Sequence, residues 1–241
     1  MSMRVIVFAS QKGGSGKTTL AGHIGVQAEL AGAGPVALIG TDPQGSLAKW
    51  WNCREAATPA FIHSVFTNLV HDLDEARAQG FKLVVIDTPP AVTKAISEVI
   101  AFADLVVLPT RPSPHDLRAV GPTIDICEAR KKQMLFVLNA AVARAKITME
   151  AAVALSQHGT VAPVTVHNRT DFAASMIDGR TVMEIEPEGT SAQEVRNLWE
   201  YIETRLMRKD VKPAEMSEVV PLRRNVNSLG REAPLFGRRA N

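Results

Sequence analysis

The chain has 241 residues, 46% of them apolar and 5% aromatic, with a net charge of +2. That length holds one sizeable α/β core but not that core and a second large domain beside it. No apolar run reaches the roughly 18 residues of a membrane span. Cys53 and Cys127 lack metal-ligand spacing, and Met-Ser-Met-Arg leads straight into a strand without a signal segment, so a reducing, cytoplasmic setting is expected.

Short β-branched runs alternate with helical patterns, as in βαβ units that build a mostly parallel sheet. The first strand is expected over 4–9, followed by Gln11-Lys12-Gly13-Gly14-Ser15-Gly16-Lys17-Thr18-Thr19. Such glycines let a backbone curl around phosphate oxygens; Lys17 can reach the β and γ phosphates, and the Thr18 hydroxyl can ligate magnesium. Gln11 stands where the usual phosphate loop has its first glycine, and a second lysine, Lys12, precedes the glycines. A helix over 17–30 ends at Gly32, Gly34 and Pro35, and a second strand covers 36–40. In Thr41-Asp42-Pro43-Gln44-Gly45-Ser46, the carboxylate either orients an attacking water or simply closes a tight turn. The neighbours Trp50 and Trp51 cannot share one helix face; either both belong to the core or one of them serves a contact.

A strand over 83–87 ends on Asp87, ahead of Thr88-Pro89-Pro90. An acid at the C-terminal end of a central strand lies beside the phosphate loop, where it can hold magnesium through water. Helices over 93–102, 116–130 and 143–158 then alternate with strands over 105–109 and 134–138 and a weaker one over 164–167. The last helix has Thr190 as its cap, answered by Gln193, with Val195, Leu198, Trp199, Ile202 and Leu206 at helical spacing. These elements predict an α/β P-loop NTPase domain over 1–207, a mostly parallel sheet flanked by helices on both faces. From Arg208 onward eight Lys/Arg stand against four Asp/Glu among three prolines, a basic C-terminal extension over 208–241.

Residues 12–19, 42–46 and 87–90 together resemble the ParA/MinD family of deviant Walker A ATPases, and more closely its small branch without an N-terminal DNA-reading domain. The likeness covers roughly residues 3–207. It implies an ATP- and Mg2+-dependent ATPase in which Lys12 reaches across a homodimer to the partner's phosphates. It further implies Lys17 as the phosphate-loop lysine, Gly13, Gly14, Ser15, Gly16, Thr18 and Thr19 as nucleotide-binding positions, and Thr18, Asp42 and Asp87 around the metal. Asp42 would position water, while Pro109 and Asn139 would border the nucleotide. The chain departs from the family at Gly40, where members commonly carry an acid; slow turnover fits that loss, and the otherwise whole Asp42 motif keeps activity expected.

The resemblance also implies a positioning role on the nucleoid, with non-specific double-stranded DNA as a partner and a cargo-bound protein that stimulates hydrolysis. Arg169 falls in a region that contributes to the family's DNA surface. Arg196, Arg205, Arg208, Lys209, Lys212, Arg223 and Arg224 could meet phosphates near the last helix and tail, doubly so in a dimer. A MinD-like membrane ATPase is the alternative, and it needs a C-terminal amphipathic helix; Pro221, Gly230 and Pro234 interrupt the apolar positions of the tail, so a membrane is not the expected partner.

Overall fold

The computed structural model describes residues 2–91 and 93–207. The basic extension expected over 208–241, with Arg208, Lys209, Lys212, Arg223 and Arg224, lies outside the described residues. β1 (Arg4–Phe8) leads through the glycine loop into α1 (Lys17–Leu30); β2 (Val36–Gly40), α2 (Ser46–Asn52), β3 (Ala60–Ile62), α3 (Leu69–Ala78) and β4 (Leu83–Asp87) follow. Next come α4 (Lys94–Phe102), β5 (Leu105–Thr110), α5 (Pro114–Ala119), α6 (Gly121–Ala129), β6 (Met134–Leu138), α7 (Lys146–Ser156) and β7 (Thr160–Val161). Three helices, α8 (Thr170–Ser175), α9 (Val182–Ile185) and α10 (Thr190–Met207), finish the described chain.

The seven strands form one sheet in the order β3-β2-β4-β1-β5-β6-β7, and every pairing in it is parallel. Side chains alternate between its two faces. Ile6 and Phe8 of β1, Val85 of β4 and Val107 of β5 meet α1, α2 and α10 through Leu20, Ile24, Trp50, Leu198 and Trp199. Val5, Val7, Val84, Ile86, Val106 and Leu108 face the other way, onto Leu69, Ile96, Ile100, Ile124 and Leu155. Fully burying each such side chain contributes roughly 1.5–3 kcal/mol, far more than local helix propensity, so the two-faced burial holds the layers together. Helix α1 is buried along most of its length because the sheet lies on one side of it and other helices on the next.

The register does the positioning. Phe8 pairs with Asp87 and Gly40 pairs with the same Asp87, so β1, β4 and β2 end level with one another. The loops that leave these three strands therefore emerge side by side at one edge of the sheet.

Several expected boundaries move, each for a local reason. The helix expected over 116–130 is two helices that meet at Val120; Pro122, just inside the second, has no N–H to continue the first. Ser113 caps α5 instead, its Oγ accepting from the Asp116 N–H at 3.2 Å. The strand expected over 164–167 is not formed. Thr160 and Val161 take that edge of the sheet, Pro163 breaks the ladder, and only an isolated bridge joins His167 to Ala141. At α10 the Gly189 carbonyl accepts the Gln193 N–H, and the Gln193 side chain reaches forward to Asn197, so Thr190 and Gln193 make no capping box. The reciprocal box occurs at α9, between Thr181 and Glu184.

Trp50 and Trp51 also find their places. Trp50 is buried against α1, where Gly22 has no Cβ to hold the ring off, and its Nε1 donates to the Arg180 carbonyl at 3.2 Å. Trp51 is half-buried on Phe61 and donates to the Pro59 carbonyl at 2.8 Å. Both serve packing.

Candidate phosphate and magnesium site

The glycine loop bends out of β1 and enters α1 through Gly16, whose φ of +96° is a left-handed conformation that favours glycine. The two lysines of this loop differ in burial. Lys17 is buried and its Nζ donates to the Lys12 carbonyl at 3.2 Å, folding the ammonium back over the loop. Burial lowers the Lys17 pKa, while the charges of Asp87 and Asp42 oppose that shift. The Lys12 side chain is exposed, and its ammonium has no partner among the described residues. Its backbone N–H is held by Ser10 Oγ at 3.2 Å.

Thr18, in the first turn of α1, donates its hydroxyl to Asp87 Oδ2 at 2.6 Å. The other carboxylate oxygen, Oδ1, is buried without a partner among the described residues. Burial pushes the Asp87 pKa up to about 7, against the opposing pull of the Thr18 hydroxyl and the Lys17 charge. Thr41 ties the neighbouring loop to this point, its N–H and hydroxyl both meeting the Asp87 carbonyl, at 2.9 and 3.0 Å. Thr88 does the same for β1, donating its hydroxyl to the Phe8 carbonyl at 2.8 Å. Sequence reading passed over these hydroxyls; the signal available was a Ser or Thr directly beside each motif residue at a strand end.

Asp42 is partly exposed, and its Oδ1 accepts the Gln44 N–H at 2.9 Å. The Gly45 N–H in turn reaches the Asp42 carbonyl at 2.9 Å, with Gly45 itself left-handed at φ +65°. Asp42 therefore closes its own turn and also contributes charge beside Lys17 and Asp87. A Cβ added at Gly40 would make only ordinary contacts, with Leu47 and Phe61, so the missing acid is not excluded by space.

The remaining positions divide. Gly13 and Gly14 are exposed, with open space where a Cβ would stand, and Ser15 is buried, its Oγ without a partner among the described residues. The Thr19 carbonyl accepts from His23 Nδ1 at 2.8 Å, which makes Nδ1 the protonated nitrogen and turns His23 Nε2 toward the Val182 N–H. Pro109 lies inside β5, opposite Val137. Asn139 reaches the loop, its Nδ2 donating to the Ser15 carbonyl at 2.7 Å. The expected DNA-facing arginines lie elsewhere and have acceptors of their own. Arg169 pairs with Glu194 at 2.7 Å, Arg205 reaches Thr160, and Arg196 meets the Pro187 carbonyl and Gln193.

These residues fit a magnesium nucleotide. A hydroxyl and a buried carboxylate already converge, one carboxylate oxygen is unclaimed, and an open, glycine-lined loop with a buried lysine stands beside them. Thr18 and Asp87 would hold the metal, Asp87 through water, and Lys17 with the loop N–H groups would hold phosphate.

The family model described as VirC1 protein matches residues 3–226. The maintenance of carboxysome distribution protein A of Halothiobacillus neapolitanus is 31% identical over 202 residues, which cover 80% of this chain and 92% of that protein. Among solved structures, a Cyanothece McdA variant in complex with ATP superposes with a TM-score of 0.70 at 17% identity, over 86% of this chain and 98% of that one. The septum site-determining protein MinD of Pyrococcus horikoshii, complexed with Mg-ADP, gives 0.71 at 16% identity, over 83% and 96%. No described helix is long and apolar enough to cross a membrane. By fold and by sequence, the chain belongs to the ParA/MinD/Soj/McdA family of deviant Walker A ATPases, and its chemistry is the hydrolysis of ATP.

Proposed function

We propose that this chain is an ATP-dependent dimeric switch that binds double-stranded DNA non-specifically and positions a cargo, with a cargo-bound partner protein stimulating slow hydrolysis in the cytoplasm. Members of its family dimerise, engage partners or cargo, and drive partitioning or positioning. The observation that carries the reading is the contrast between the two loop lysines: Lys17 folded over the loop, Lys12 exposed, with no partner for its ammonium among the described residues. An exposed cation beside a phosphate cradle suits delivery to a second nucleotide. Two nucleotides brought face to face repel, and a lysine from each subunit offsets that charge where water is excluded.

In this reading Lys17 and the loop amides bind the phosphates, and Thr18 and Asp87 orient the metal. Asp42 holds the attacking water in line. Bound Mg–ATP supplies the γ-phosphoryl group and the charge that the Lys12 contact requires, so loss of that phosphoryl group separates the subunits. A dimer would double the basic surface offered to DNA. The cargo-positioning part is supported by relatives named for carboxysome distribution and for chromosome partitioning.

Sedimentation of wild type and Asp42→Ala tests this, with ATP–Mg2+ or ADP and with or without duplex DNA of arbitrary sequence. ATP should give a dimer, longer-lived in Asp42→Ala, and only that dimer should co-sediment with DNA, in a salt-sensitive way. Dimerisation without DNA binding would move the output to a protein scaffold or to liposomes. Absence of any ATP-dependent dimer, or an unaffected dimer in Lys12→Ala, would sink the role given to Lys12.

A further inference from the structure

Asn139 follows β6 directly and is buried. Its Nδ2 hydrogen bond crosses 124 residues of sequence to the Ser15 carbonyl. A carbonyl can only accept, so this partner also fixes which way the amide is turned. The space comes from Gly16, where an added Cβ would overlap the Asn139 amide nitrogen. The backbone around Asn139 is clamped on both sides. Its own N–H donates to the Thr110 carbonyl at 3.0 Å, the Ala141 N–H to Val166 at 3.1 Å, and the Asn168 N–H to Ala141 at 2.8 Å. Between these bonds Ala140 is held at φ +48°, a left-handed conformation unfavourable for a residue with a Cβ.

We propose that Asn139 is a positioning residue for the phosphate loop. A peptide unit is planar and trans, so its C=O and N–H point in opposite directions. Holding the Ser15 carbonyl toward Asn139 aims the Gly16 N–H away from it, as a donor toward the phosphate side of the loop. Were that peptide to turn over, a carbonyl oxygen would face the anion instead. Asn139 thus acts on every ligand that carries the phosphate chain, whatever base is attached. This rests on the ATP-site reading and is independent of dimerisation and DNA.

The test is calorimetric binding of Mg–ADP and of magnesium tripolyphosphate, which has no base, to the full chain as wild type, Asn139→Ala and Asn139→Asp. Thermal melting of each protein accompanies the titrations. Asn139→Ala should weaken both ligands by a similar factor, on the order of tenfold, the scale of one buried hydrogen bond. Asn139→Asp keeps the shape, turns a carboxylate toward the Ser15 carbonyl and the anion, and should weaken both further. Should Asn139→Ala fail to fold, the isosteric variant carries the same comparison. Retained tripolyphosphate binding with lost ADP binding would make Asn139 a base reader and overturn the proposal, as would unchanged binding of both. Failure of the wild type to bind Mg–ADP would instead refute the nucleotide site itself.

Discussion

The Thr18 hydroxyl and the Asp87 carboxylate, 69 residues apart in the chain, share a 2.6 Å hydrogen bond at the mouth of the glycine loop. A hydroxyl has lone pairs besides its proton, so Thr18 can ligate a magnesium ion while still donating to Asp87, which would meet the metal through water. The carboxylate is suited to that role. Its second oxygen is buried with no partner among the described residues, and burial makes its ionised form unfavourable until a cation arrives.

A proton balance follows for Asp87, whose pKa is raised to about 7. Its proton stabilises the metal-free fold most fully below the unfolded pKa of 3.8, and that contribution is lost as pH rises through about 7. Magnesium needs the ionised form. Binding of Mg–ATP should therefore release close to one proton at pH 6 and almost none at pH 8.5. Calorimetry in two buffers of different ionisation enthalpy measures this, and Asp87→Asn should abolish the pH-dependent part. Release that does not change with pH would contradict the raised pKa.

His23 gives the opposite slope. It is fully buried, its ring packed at a tilt against Phe172, and burial lowers its pKa to about 4 from 6.5. The unfolded chain takes up a proton below 6.5 and the native protein does not until about 4, so stability present above pH 6.5 is lost as pH falls through this window. The loss is at most about 3 kcal/mol. The gap in melting temperature between wild type and His23→Gln should narrow steadily from pH 7 to pH 4.5. A constant gap would mean that His23 contributes packing alone.

Much of this site was legible in the sequence because the residues that carry it are contiguous. Lys12 to Thr19 and Asp87 to Pro90 are short runs at the ends of strongly apolar strands, and the parallel register brings those ends together without further information. The bracing contacts were not legible: Asn139 was named only through the resemblance, as a neighbour of the nucleotide, and its bond to Ser15, like the contacts of Thr41 and His23, joins residues far apart in sequence. The strand expected over 164–167 failed on one competing signal, Pro163 beside a run of β-branched residues. Helices α2, α8 and α9 were unrecognised because they are short, and the contact of Trp50 with Gly22 holds α2 more than its own pattern does; α3 was passed over as well.

The two thiols should differ sharply in reactivity. Cys53 is exposed, whereas Cys127 is buried between α6 and the sheet and burial pushes its thiol up to about 12. A thiol of that pKa has on the order of a thousandth of the thiolate of an ordinary cysteine at neutral pH. Titration of the native protein with an aromatic disulfide should give one fast equivalent, and two only after denaturation; Cys53→Ser should remove the fast phase. Two fast equivalents would mean that α6 opens readily.

The pairing of Arg169 with Glu194 bears on DNA binding directly. Its guanidinium donates to Glu194 Oε2, and His167 Nδ1 meets Oε1 of the same carboxylate at 2.7 Å. The hydrogen bond to Glu194 is the main reason the Arg169 pKa is raised. If Arg169 contacts a phosphate in the dimer, it must share or leave this carboxylate, and Glu194 then works against DNA. Glu194→Gln should tighten binding to arbitrary duplex DNA several-fold. Arg169→Ala should weaken it and reduce the slope of log affinity against log salt by about one. Neither substitution should alter hydrolysis in the absence of DNA. Filter binding across a salt series separates the outcomes. Equal affinities and slopes in all three proteins would remove Arg169 from the DNA surface and leave the pair as a clasp between α10 and the segment before α8.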